Sequence, residues 1–145
     1  MTLHEAILDS EQAALDTVSG SSPSQLDTIK AADGYRGVAP IHLAVKENQF
    51  ETITRLIDAG ADLEIRDLEH AASPLGWAAF FTLPEMVNHL LDQGADIDHP
   101  CSPLAIAESG ANGDWTSYSD ISPERYPPIV ALLKSRGAQP TLPSE

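Results

Sequence analysis

Apolar residues recur at spacings of three and four in two short stretches, Ile53, Leu56 and Ile57, then Val87, Leu90 and Leu91. That spacing lays the side chains along one stripe and predicts amphipathic helices over Glu51 to Ala59 and Glu85 to Gln93. The stretches are 34 residues apart. So are the identical pairs Asp33 and Asp67, Pro40 and Pro74, Ala44 and Ala78, Glu51 and Glu85, Gly60 and Gly94, Ala61 and Ala95, and Asp62 and Asp96. Apolar positions keep the phase, with Ile29, Leu63 and Ile97 in one set and Ile41 and Leu75 in another. A fixed period of this length marks a repeated supersecondary unit.

Each unit reads as two short antiparallel helices followed by an extended loop. The first helix opens at Pro40 or Pro74, where the fixed φ suits the first turn and the absent N–H is not missed. Ser73 and Ser102 precede such prolines as N-caps, and Ala44, Ala78, Ala79 and Ala107 are small where two helices must come close. Gly60 and Gly94 stop the second helix in the left-handed conformation. A helix pair buries one face only, so stability comes from stacked neighbours. At the start, Leu3, Ile7, Ala14 and Leu15 predict a helix from about Leu3 that breaks at Ser19 to Pro23. Glu5, Asp9, Glu11 and Asp16 give it the polar outer face a terminal repeat needs.

The strings Ala39-Pro-Ile-His-Leu-Ala44, Ser73-Pro-Leu-Gly-Trp-Ala78 and Ser102-Pro-Leu-Ala-Ile-Ala107 resemble the T-P-L-H-x-A signature of ankyrin repeats. Gly60-Ala-Asp-Leu63, Gly94-Ala-Asp-Ile97 and Gly137-Ala138 resemble that family's repeat end. The resemblance implies an all-α solenoid of three to four stacked helix-turn-helix and β-turn units that recognises proteins on a concave face, without a catalytic centre or cofactor. It divides the chain into a diverged capping repeat at 1–32, repeats at 33–66 and 67–100, a C-terminal repeat at 101–138 and a flexible tail at 139–145. Two departures stand out. Ala39 replaces the capping Thr, while Gly76 and Ala105 stand where His42 stands in the first complete unit. The third unit is lengthened between its helices, with an insertion at about 108–122 and a helix that restarts near Ser122-Pro123 or after Pro127-Pro128.

Charge narrows the partner. The 145 residues include 22 Asp and Glu against 8 Lys and Arg, a formal net charge of −14. Such a surface repels phosphate backbones and anionic lipid and favours a cationic protein. The single Cys101 permits no internal disulfide and fits a reducing compartment, and the acidic first residues carry no signal-peptide pattern. The expectation is therefore a monomeric cytoplasmic protein that binds neither nucleic acid nor membrane.

Catalytic and metal signals are thin. His99 and Cys101 form an H-x-C pair beside Asp96 and Asp98, but a zinc site needs four convergent ligands and no second Cys exists. The carboxylates fit neither a glycosidase pair nor a calcium loop. His42 occupies a motif position that bonds within the repeat, whereas His70 reads as a loop-tip residue and His89 as a helix-surface one. The candidate partner-binding residues are Tyr35, Arg36, Lys46, Arg66, Glu69, His70, Phe80, Phe81, Trp115 and Tyr118, with Glu47 beside them. Phe80 and Phe81 are either interface anchors or rings packed beneath the insertion. Trp115 and Tyr118 either staple the insertion down or touch a partner. An adaptor leads among the functions; the alternative is an acidic immunity-like inhibitor or a nucleic-acid mimic that blocks a basic protein.

Overall fold

The computed structural model describes residues 2–99 and 101–139. Contacts group the chain into two units, Met1–Pro74 and Leu75–Glu145. Of the tail expected at 139–145, Gln139 donates its backbone N–H to Asp98 Oδ1 at 3.0 Å, and residues 140–145 lie outside the described residues.

The first unit begins with two helices, α1 (Leu3–Asp9) and α2 (Glu11–Ser19), rather than the single helix the apolar spacing predicts. The break is at Ser10, which is fully extended, and its Oγ accepts the Ala13 N–H at 3.1 Å to cap α2. Thr2 caps α1 reciprocally with Glu5: its Oγ1 accepts the Glu5 N–H, and its own N–H donates to Glu5 Oε1 at 2.9 Å. The four acids expected on the outer face, Glu5, Asp9, Glu11 and Asp16, are exposed. A short α3 (Pro23–Leu26) leads into a hairpin of β1 (Lys30–Ala32) and β2 (Tyr35–Val38), so the all-α expectation fails locally. Asp33 and Gly34 turn it with φ of 51° and 86°, the conformation a tight Asp-Gly hairpin turn requires. Then come α4 (Pro40–Lys46) and α5 (Phe50–Asp58). Packing of α1 on α4, α2 on α5 and α4 on α5 buries Ile7, Leu26, Ile41, Leu43, Ile53 and Leu56 completely or nearly so. Each such side chain contributes roughly 1.5 to 3 kcal/mol.

The second unit holds α6 (Pro74–Phe80), α7 (Pro84–Asp92), α8 (Pro103–Ala111) and α9 (Tyr126–Ser135), the last preceded by a 3-10 turn at Pro123–Arg125. Its core is Leu75, Trp77, Met86, Leu90, Leu104, Tyr126, Ile129 and Leu133. Ser102 caps α8 by accepting the Ala105 N–H at 3.1 Å. Residues 108–111, expected in the insertion, extend α8 instead. Gly110 is there for proximity: a Cβ would lie 2.4 Å from the Tyr126 ring. The Arg136 guanidinium joins the end of α9 to α7 through Asn88 and Asp92, each at 2.9 Å.

Helix ends repeat down to single hydrogen bonds. Gly60, Gly94 and Gly137 have φ of 106°, 102° and 101°, and the next residues, Ala61, Ala95 and Ala138, donate to Leu56, Leu90 and Leu133. These are Schellman caps. The first helix of each pair ends the same way at Asn48, Thr82 and Gly113, with φ of 60°, 55° and 85°. Asn and Gly tolerate that conformation, whereas a β-branched Thr is strained in it. Moreover, the Thr82 hydroxyl is buried without a hydrogen-bond partner.

Buried histidines finish the loops of the first unit. His42, fully buried, accepts the Ala39 N–H on Nδ1 at 3.1 Å and donates from Nε2 to Ile65 O and Ala72 O, each at 3.1 Å. Carbonyls only accept, so the proton sits on Nε2 and the ring is neutral. Burial lowers the His42 pKa below 6.5, partly opposed by the Ala72 carbonyl and Asp67. His4 donates from Nε2 to Val38 O at 2.8 Å, and burial lowers its pKa as well.

Two expectations follow for stability. Replacing Thr82 with Gly should raise it by about 1 kcal/mol, because both the left-handed strain and the orphaned hydroxyl disappear; urea unfolding checks this, and a loss of stability contradicts it. The histidines set the pH response. Below pH 6.5 the unfolded chain takes up protons that folded His4 and His42 refuse, so stability is full above about pH 7 and falls as pH drops toward 5. The limiting slope is about 1.4 kcal/mol per pH unit for each histidine. Urea midpoints between pH 7 and 5 should decline less in His42→Asn than in wild type; a flat wild-type profile refutes the account.

Candidate protein-interaction surfaces

In the first unit the hairpin and the loop at 62–72 form one surface. Leu68 N–H donates to Gly37 O at 2.9 Å, so the loop continues the edge of the hairpin. The loop is organised from within by Asp67, only 3% exposed. Its Oδ1 accepts the Ala72 N–H at 2.9 Å, its Oδ2 accepts the His70 N–H at 3.0 Å, and His70 Nδ1 lies 3.2 Å from that second oxygen. The chain turns there on Ala71, φ 53°.

Six of the candidate residues fall on this unit. The Arg36 backbone N–H donates to the Glu69 carboxylate, whose other oxygen is 4.0 Å from Arg36 Nε, so these two meet across hairpin and loop. Tyr35 is half-buried beside Arg36, and burial raises its pKa. Lys46 Nζ pairs with Asp33 at 2.8 Å and Glu47 at 3.2 Å, which ties it to the hairpin turn. His70 and Arg66 are exposed. Leu68, unmarked by sequence reasoning, stands 70% exposed among them. It sits between Asp67 and Glu69, and its side chain lies against Gly37 of the hairpin.

The remaining four candidates fall on the second unit and form a ladder of rings. Phe81 packs against Trp77 at 5.7 Å between centroids and edge-on against Phe80 at 5.0 Å. Phe80 meets Trp115 at 5.8 Å, and Trp115 meets Tyr118 at 6.2 Å. Phe80 and Phe81 are half-buried, and the Phe80 carbonyl accepts the Tyr126 hydroxyl at 2.6 Å. Trp115 holds its segment down by donating its indole N–H to Ile106 O at 2.9 Å. Tyr118 ends the ladder 79% exposed.

His99, the histidine of the H-x-C pair, is buried. It is 4% exposed, and its Nδ1 accepts the Cys101 N–H at 3.2 Å, with Cys101 half-buried. Among the described residues no three His, Cys, Asp or Glu side chains converge as metal ligands, and no helix is long and apolar enough to cross a membrane.

A family model for ankyrin repeats (3 copies) matches residues 3–101. Mouse protein phosphatase 1 regulatory subunit 27 is 31% identical over 109 residues, which cover 75% of this chain and 60% of that protein. The chain thus spans about three-fifths of the length of that relative. The helix content and the recurring caps fit a repeat solenoid, and such repeats serve protein–protein interaction. With a 34-residue register running through its two complete units and the match covering well more than half its length, the chain belongs to the ankyrin-repeat family.

Proposed function

We propose that the chain is a non-enzymatic adaptor or inhibitor that holds another protein, a basic one, on loops displayed by its repeats. The observation that carries this reading is the placement of Leu68 and Tyr118. They are the most exposed large apolar side chains among the described residues, and each projects from a loop pinned by hydrogen bonds of Asp67 or Trp115. Ordered loops have already lost their conformational entropy on folding, so little is lost again on binding. Tyrosine is among the residues that dominate interface hot spots, and Leu68 adds apolar area that a partner can cover.

Three further points support it. The net charge of −14 favours and accelerates encounter with a cationic surface. His42 spends both ring nitrogens on backbone groups, as His4 and His99 spend one each, which leaves His42 unfit as a general base. The mouse relative is by its name a regulatory subunit of a phosphatase, a role that works by binding a protein, and protein phosphatase 1 is a first purified partner to try. The segment between α8 and α9 is, in this reading, an insertion into a C-terminal repeat at 101–138, following a capping repeat at 1–32 and repeats at 33–66 and 67–100.

Affinity capture from extract, with wild type beside Leu68→Ser and Tyr118→Ala, tests the proposal. Both changes are at exposed sites and should leave the circular dichroism spectrum unchanged. Wild type should capture a basic protein that is released as salt rises, and at least one variant should lose it. Capture of nothing, or equal capture by all three, contradicts the adaptor reading, and salt-independent capture contradicts the basic partner.

A further inference from the structure

We propose that the segment between α8 and α9 is an arginine platform: the exposed Tyr118 ring, backed by Trp115 and flanked in sequence by Asp114 and Asp120, takes the guanidinium of a basic segment of the partner. This rests on the reading that the chain binds a basic protein, and it names where and by what chemistry.

The first argument is that Tyr118 is exposed without being loose. Trp115 is fixed to α8 through Ile106 O, Asp114 N–H donates to Ser109 O at 3.0 Å, and the Tyr118 and Ser119 N–H groups donate to Trp115 O at 2.9 and 3.0 Å. Ile121 N–H closes the segment on Ser119 Oγ at 3.1 Å. A ring carried on such a frame is a preorganised contact whose apolar face the fold leaves in water.

The second argument is geometric. The Tyr118 and Trp115 planes meet at 65° with centroids 6.2 Å apart. The contact is edge-to-face, and Tyr118, the ring that stands 79% exposed, is the one whose face stays open to a cation, which the ring quadrupole would hold. Charge supplies the third argument. From Glu108 to Glu124 the sequence has the acids Glu108, Asp114, Asp120 and Glu124 and no Lys or Arg. Asp114 and Asp120 are exposed and form no ion pair among the described residues. Glu108, by contrast, already faces Lys134 at 3.9 Å. An arginine fits both features at once, because its planar guanidinium stacks on a ring while its edge N–H groups reach a carboxylate. The ammonium of lysine cannot do both as well.

The probe is a synthetic arginine-containing peptide in a glycine and serine background, titrated into the full chain and followed by NMR, with lysine and citrulline versions as controls. The Trp115 indole N–H and the backbone amides of residues 116–120 should shift saturably with the arginine peptide, less with lysine and not with citrulline. Tyr118→Leu keeps apolar bulk without a ring and should weaken binding roughly two- to fivefold, whereas Tyr118→Phe should not. Asp114→Asn with Asp120→Asn should weaken it and flatten its salt dependence. Unsaturable shifts spread over the acidic surface, equal binding of lysine and arginine peptides, or wild-type binding by Tyr118→Leu overturns the proposal. If it is overturned while capture of a protein still depends on Leu68, the adaptor reading survives alone.

Discussion

A single buried imidazole fixes where the loops of the first unit run. Helix pairs joined by long loops have no extended sheet to absorb the backbone polar groups of those loops, and an unpaired buried carbonyl costs about as much as a lost hydrogen bond. His42 answers this at three points, with Nδ1 closing the entrance to α4 and Nε2 reaching both Ile65 O and Ala72 O across the loop that follows. Buried polar side chains elsewhere in the unit do the same work. Gln49 donates to Ile7 O at 2.8 Å and accepts from Thr52 at 2.9 Å, Asp67 closes its loop on itself, and His4 reaches Val38 O. The exposed residues Arg36, Leu68 and His70 keep their places because this hidden layer holds the backbone beneath them.

The second unit adds aromatic cross-links to the bonds that His99 and Arg136 make there. Gly76 and Ala105 stand at the positions of His42, so that clamp is absent there. Aromatic side chains supply the cross-links: Tyr126 caps the Phe80 carbonyl, and Trp115 the Ile106 carbonyl. Rings also carry large apolar area, which suits a segment with few aliphatic residues of its own. One consequence is functional, since a ladder built for stability ends in a tyrosine that is 79% exposed.

Local chemistry was legible in the sequence and distant chemistry was not. Helix starts at Pro40, Pro74 and Pro103 and helix stops at Gly60, Gly94 and Gly137 could be read because each depends on the φ preference of one residue. Ser10 was missed as a break because a serine inside an apolar spacing carries no steric veto, and only its cap to Ala13 reveals it. The hairpin at 30–38 was missed because its strands are too short to show alternation. Residues 108–111 read as loop because glycine disfavours a helix interior, whereas the reason for Gly110 is a ring sixteen positions away. Among the candidate surface residues, Arg36 and Glu69 come together through a pairing of hairpin and loop that no spacing announces. Leu68 was invisible for the same reason, since its place depends on the backbone bond to Gly37.

The loop layer of the first unit rests on His42 being a neutral ring with its proton on Nε2, because a charged ring would have no acceptor left for the Ala39 N–H. Side-chain nitrogen NMR of the full chain reads that state directly. The account predicts a pyrrole-type Nε2 and a pyridine-type Nδ1 that persist through the range near pH 6 where a free histidine titrates. A proton on Nδ1, or a ring that charges at the ordinary pKa while the chain stays folded, would contradict it.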